Sequence, residues 1–114
     1  MNFLVIVNES PWGSPLALSA YRFVLAAAES GVRQIGVYFL GDGVYNAIQG
    51  ETSDAVGPDL ASAWAELAAR GIRLSLCSSS RLRRLGEKPD GPFRDSGLTE
   101  MIEAMRDSDR VVTF

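Results

Sequence analysis

Residues 2–7 read NFLVIV, an unbroken apolar run of strand length. A strand with one wet face alternates apolar and polar residues, whereas a run without alternation suits a strand buried on both faces, as in a parallel sheet covered by helices. Outward from it, the polar loop Asn8 to Gly13 (NESPWG) leads to Ser14-Pro15, an N-cap and first-turn proline for a helix to about Ser30, closed by Gly31. The apolar face of that helix is Leu16, Ala20, Phe23, Val24 and Ala27. Residues 34–40 (QIGVYFL) supply a second buried strand, rich in β-branched and aromatic residues, and the turn Gly41-Asp42-Gly43 ends it. Residues 44–58 show no clear period and read as a long surface loop. Asp59 caps a helix from Leu60 to about Arg70, with Leu60, Trp64, Leu67 and Ala68 on one face and Gly71 as its stop.

Residues 72–77 (IRLSLC) read as a third strand whose last residue is the chain's only cysteine, followed by a short helix from about Ser79 to Leu85. The segment Gly86 to Ser96 (GEKPDGPFRDS) reads as a mobile polar linker. Leu98, Met101, Ile102 and Met105 fall at i, i+3, i+4 and i+7 and mark a last helix, after which residues 110–114 (RVVTF) give a final strand. This alternation predicts a single α/β domain over residues 1–114: a three-layer αβα arrangement around a mainly parallel sheet of four to five strands, flavodoxin- or Rossmann-like.

Composition narrows the function. The 114 residues are 46% hydrophobic and 22% charged, the balance of a folding globular chain rather than a disordered one. A net charge of -3 offers no general attraction to phosphate backbones or anionic lipid, so neither nucleic acid nor a membrane is the expected partner. The count of zero histidines removes Ser-His-Asp and Cys-His catalysis and, with one cysteine, the usual zinc sites, so no metal is expected, and thiol-exchange chemistry on the lone cysteine would require no cofactor. A lone cysteine forms no internal disulfide, and the opening MNFLVIVNE has neither a basic n-region nor a cleavage site, which makes the cytoplasm the expected compartment.

A flavodoxin-like strand order would open a crevice between the first and third strands, setting the loop Asn8–Gly13 beside Cys77. At a strand-to-helix junction the cysteine meets free backbone N–H groups; Ser78, Ser79 and Ser80 can donate to a sulfur anion, and Arg81, Arg83 and Arg84 make the surroundings electropositive or dock a partner. Those features describe a nucleophile activated without histidine. The same residues also have plainer readings: Cys77 as a small packed hydrophobe, the arginines as a solvated helix face. Glu9, Trp12, Tyr45 and Asn46 are candidate site-loop residues, with loop hydrogen bonding or core packing as the alternatives. Neither G-x-G-x-x-G nor G-x-x-x-x-G-K-[ST] occurs, which disfavours a nucleotide or flavin binder.

Four segments, FLVIVNESPWGS, FLGDGVYNA, LSLCSSSRLRRLG and SGLTEMIEAMRDSDRVVTF, resemble the DsrE/DsrF-like sulfur-relay family, and within it the TusD/DsrE branch. The resemblance implies a sulfurtransferase subunit in which Cys77 accepts sulfane sulfur as a persulfide and passes it on, for tRNA 2-thiouridine formation or dissimilatory sulfur oxidation. It further implies assembly with TusC/DsrF-like and TusB/DsrH-like paralogues into a heterohexamer, and delivery to a TusE/DsrC-like carrier. The linker Gly86–Ser96 is shorter than in many members, and Ser108 stands where some relatives place a second cysteine, so an internal resolving thiol is absent. The rival reading is a structural or regulatory subunit of such an assembly with an inert cysteine.

Overall fold

The computed structural model describes residues 1–12, 14–48 and 59–114, so Gly13 and most of the expected loop over 44–58 lie outside the described residues. Five strands form one sheet: β1 (Asn2–Val7), β2 (Gln34–Phe39), β3 (Arg73–Cys77), β4 (Phe93–Ser96) and β5 (Arg110–Thr113). Helices α1 (Leu16–Glu29), α2 (Leu60–Ala69), α3 (Ser78–Arg84) and α4 (Leu98–Asp107) alternate with them, and Gly41–Ala47 winds as a tight 3₁₀ segment. The lateral order is β4-β3-β2-β1-β5, and every neighbouring pair is parallel. The expected adjacency of the first and third strands is therefore corrected: β2 lies between them, and the strand order reverses between β1 and β5.

That order distributes the helices unequally. From β1 to β4 each crossover steps the same way along the sheet, and a uniform right-handed crossover keeps those helices on one face; the return from β4 to β5 runs the other way and carries α4 across the opposite face. Two cores follow. On the first face Val5, Val7, Val37, Phe39, Leu74 and Leu76 pack against Ala17, Ala20 and Val24 of α1 and Leu60, Trp64 and Leu67 of α2. On the second, among the described residues, a small cluster of Leu4, Ile6, Tyr38 and Cys77 meets Leu40 and, from α4, Met101 and Ala104.

Local chemistry sets the element ends. Asp59 Oδ1 accepts from the backbone N–H of Ala61 at 3.1 Å and of Ser62 at 3.4 Å, the capping role expected of it. Helix α1 begins one residue later than expected, at Leu16, and Ser14 Oγ still accepts from the Leu16 N–H at 3.2 Å. Its core-facing start is accordingly Ala17, not Leu16, which is 42% exposed.

One other expectation fails for a physical reason. The linker Gly86–Ser96 ends in strand β4, paired with β3 from Leu74↔Phe93 to Cys77↔Ser96, because Phe93 drops into the main core against Phe39 at a centroid distance of 5.9 Å. In α4, Leu98, Ile102 and Met105 are 50%, 60% and 40% exposed, and the helix has no buried residue; only Met101 and Ala104 turn to the sheet. Apart from Met101, the apolar stripe that marks the helix is an exposed flank.

Phe93 is 3% exposed, so replacing it with alanine leaves a cavity under the edge of the sheet. Phe93→Ala should cost about 3–5 kcal/mol by urea denaturation, and Arg94→Ala, exposed on the other face, about 0.5 kcal/mol or less.

Candidate functional site

Cys77 is the last residue of β3 and the residue that starts α3. A strand that turns straight into a helix leaves the first helical N–H groups without intrahelical acceptors, and they converge on the side chain before them. Here Sγ lies 3.4 Å from Ser79 Oγ and is also approached by the backbone N–H groups of Ser79 and Ser80 and the Ser80 hydroxyl. Burial pushes the thiol up, but these hydrogen bonds outweigh it and leave the Cys77 pKa below its ordinary value of 9.0. The sulfur is covered: Cys77 is only 2% exposed, not open to the crevice beside which the sequence set it.

The other residues singled out in the sequence take varied places. Ser80 is buried, and its Oγ accepts from the Gly41 N–H at 3.0 Å, tying α3 to the 3₁₀ segment; Ser78 is half-buried. Arg81 forms a two-pronged pair with Asp95, Nη2 to Oδ2 at 2.6 Å and Nε to Oδ1 at 3.1 Å, and Nη1 donates to the Gly86 carbonyl at 2.7 Å. Arg84 Nε donates to Asp42 Oδ1 at 2.7 Å on the surface, and Arg83 is exposed. The expected electropositive surround is thus corrected. Two of the three guanidiniums are neutralised by carboxylates, and the groups touching sulfur are neutral donors.

Asn46 is a brace. It is fully buried; Nδ2 donates to the Gly43 carbonyl at 2.8 Å and the Glu9 carbonyl at 3.0 Å, while Oδ1 accepts from Trp64 Nε1 at 3.2 Å. This network fixes the loop after β1, the 3₁₀ segment and α2 together, and all its polar atoms are satisfied. Gly43 belongs to it, since a Cβ there would stand 2.0 Å from the Val7 carbonyl oxygen. Glu9 enters through its carbonyl rather than its carboxylate. Trp12, 37% exposed, leans on Tyr45 with ring centroids 5.8 Å apart, an aromatic pair above that loop.

Tyr38 is the residue that the sequence reading passed over. It is 3% exposed, and its hydroxyl donates to the carbonyls of Ser96 at 2.7 Å and Gly97 at 3.0 Å. Burial, with the nearby Cys77 and Glu100, raises its pKa, although the side chain of Ser96 opposes the shift, and the phenol stays neutral. The signal was present: a tyrosine in a strand buried on both faces has to find a partner for its hydroxyl. Beside it an open cleft of about 510 Å³ runs over the sheet, lined among others by Arg73, Ser75, Arg94, Ser96 and Ala104. Among the described residues no three His, Cys, Asp or Glu side chains gather as a metal set, and no helix is long and apolar enough to cross a membrane.

Folding lowers the thiol's pKa, so ionised sulfur contributes stability that is fully present above the unfolded-state value near 9.0 and lost as pH falls through the lower folded value. The stability difference between wild type and Cys77→Ser should therefore widen in favour of wild type as pH rises through that window; Tyr38, shifted the other way mainly by burial, keeps that largest cause in both proteins, and only the share due to Cys77 is lost in Cys77→Ser. Ser79→Ala should move the pH midpoint of Cys77 alkylation upward, and an unmoved midpoint would show that Ser79 does not hold the anion.

Comparison with known proteins places this geometry. The DsrE/DsrF-like family model matches residues 1–114. A protein of Vibrio parahaemolyticus named sulfurtransferase TusD homolog is 35% identical over 130 residues, covering 100% of this chain and 98% of its own; one of Vibrio vulnificus with the same name is 32% identical over 128 residues, with the same coverage. A protein of Allochromatium vinosum named DsrE is 32% identical over 129 residues, again covering 100% and 98%. The crystal structure of the ychN protein from E. coli superposes with a TM-score of 0.86 at 21% identity over 100% of both chains, a likeness of fold. From its first residue to its last, this chain belongs to the DsrE/DsrF-like family.

Proposed function

We propose that this chain, acting as a single α/β domain in the cytoplasm, is a sulfurtransferase subunit of a sulfur relay, with Cys77 as the atom-carrying residue. The observation that carries the reading is a cysteine sulfur met by the first-turn donors of α3, in a chain whose curated relatives are named sulfurtransferases. The Cys77 thiolate attacks the outer sulfur of a donor persulfide; a new S–S bond forms, the donor's S–S bond breaks, and the donor leaves as a thiolate that takes up a proton. An acceptor thiolate then attacks the outer sulfur of the Cys77 persulfide, and Cys77 leaves as the thiolate it began as. Each step moves one sulfane sulfur without net oxidation, so no cofactor or metal is called for.

The partners follow from the family: TusC/DsrF-like and TusB/DsrH-like subunits, and a TusE/DsrC-like acceptor, in tRNA thiolation or in sulfur oxidation. The exposed stripe of Leu98, Ile102 and Met105 supports a chain that functions in an assembly, since apolar surface of this kind is costly to leave in water. With two of its three arginines held in ion pairs, α3 offers the exposed Arg83, which has no ion-pair partner among the described residues, to an acidic partner.

The burial of Cys77 favours the rival reading, a non-catalytic subunit with an inert cysteine. Incubation with a persulfide donor decides between them: intact-mass measurement should show one added sulfur on wild type and none on Cys77→Ser, with both proteins folded. Wild type left unmodified, alone and with its paralogues, would establish the rival.

A further inference from the structure

The buried phenol of Tyr38 has no part in the transfer chemistry above, and its placement calls for one. In register, Tyr38 on β2 faces Ser75 on β3, and Cys77 on β3 faces Ser96 on β4. Tyr38, Cys77, Leu4 and Ile6 share one buried cluster on the α4 side of the sheet. Since β3 lies between β2 and β4, a Tyr38 hydroxyl that reaches the carbonyls of Ser96 and Gly97 must cross over β3 at the level of Ser75 and Cys77. It is a strap over the strand that carries the sulfur, and it ends on the two residues that join β4 to α4.

The part it holds down is weakly held otherwise. Helices α1 and α2 each bury several side chains, whereas α4 buries none and rests on the cluster through half-buried Met101 and Ala104. Ser96 is itself held by its pairing with Cys77 at the end of β4; beyond that ladder, the start of α4 is tied by Tyr38 reaching the Gly97 carbonyl and by Ser96 Oγ donating to Glu100 Oε2 at 3.0 Å, a bond within the same segment. The cleft of about 510 Å³ runs up to Tyr38, Ser75 and Ser96, and Cys77 does not line it. The strap and the helix start form the wall between that open cleft and the sulfur.

We propose that Tyr38 is a positioning residue that governs access to Cys77: its hydroxyl latches the β4–α4 junction over the thiol, and release of that latch joins the cleft to the sulfur. The inference deepens the sulfur-carrier reading and rests on it for its biological meaning, but not for its test. Segments with few buried contacts open locally far more often than the molecule unfolds, so a latch made by one hydroxyl proton shared between two carbonyls sets how often the sulfur is reached.

Cys77 is the only thiol in the chain, so iodoacetamide alkylation followed by intact mass reads its access directly. Tyr38→Phe keeps the ring and removes the latch; it should raise the alkylation rate roughly three- to tenfold at every pH, with the pH midpoint unchanged. Val24→Ala, which weakens the core on the opposite face, should leave the rate in buffer at the wild-type value. Equal rates in Tyr38→Phe and wild type, a matching rise in Val24→Ala, or a rise explained by a shifted midpoint would each overturn the proposal. If Tyr38→Phe does not fold, wild type decides: alkylation nearly independent of urea below the unfolding transition supports local opening at the junction, and a rate that tracks global unfolding overturns it. Failure to take up sulfur alongside the Tyr38 effect refutes the carrier reading alone; sulfur uptake without the Tyr38 effect refutes the latch alone.

Discussion

The structure turns on one shared residue: Cys77 closes β3 and opens α3 with no loop between. A parallel sheet buries its strands on both faces, so a side chain at this point is in the interior, while the helix that begins there supplies donors lacking partners of their own. Burial alone would make the thiol inert, and donors alone would act as well on a surface residue. Their coincidence gives a covered sulfur whose anion is nonetheless favoured. A loop of even two residues between β3 and α3 would part the donors from the sulfur.

The second constraint is the lateral order of the sheet. Stepping from β1 to β4 in one direction puts the bulk of the helical cover on one face, where Trp64, Phe39 and Phe93 build the main core; only α4 remains for the other. Cys77 points to that thinly covered face. Stability and access are thereby divided between the two sides. The first face holds the molecule together, reinforced by the Asn46 brace to Trp64, and the second can loosen without dismantling it.

Much of this was legible in the residues. Unbroken apolar runs at 2–7 and 34–40 gave β1 and β2, Asp59 gave the start of α2, and IRLSLC running into SSSRLRR gave the junction. What escaped was information that local sequence does not hold. FRDS has a single apolar residue, so β4 is a strand only because Phe93 finds a core and β3 has a free edge. Nothing in the chain's local pattern orders the strands laterally, so Cys77 was set beside the loop after β1 when β2 lies between. In α4 the spacing of Leu98, Met101, Ile102 and Met105 fixed the helix but not its roll; a turn of about 100°, one residue's worth, separates a core-facing stripe from an exposed one. Asn46 is ambiguous in sequence and Tyr38 silent for the same reason: their roles depend on partners Trp64 and Ser96, set by the tertiary fold.

The pairing of Arg81 with Asp95 and Arg84 with Asp42 changes how the sulfur should be understood. A thiol embedded among free guanidiniums would ionise more completely, but nucleophilicity falls as pKa falls, and a sulfur that must first attack and then leave is poorly served by an anion held too firmly. Neutral hydroxyl and backbone donors shift the equilibrium in the same direction with a softer hand, and they do so without attracting the carboxylates or phosphates that a bare cationic pocket would collect. What acts on Cys77 is burial and the donors of Ser79 and Ser80, with the arginines of α3 turned to Asp95 and Asp42 instead.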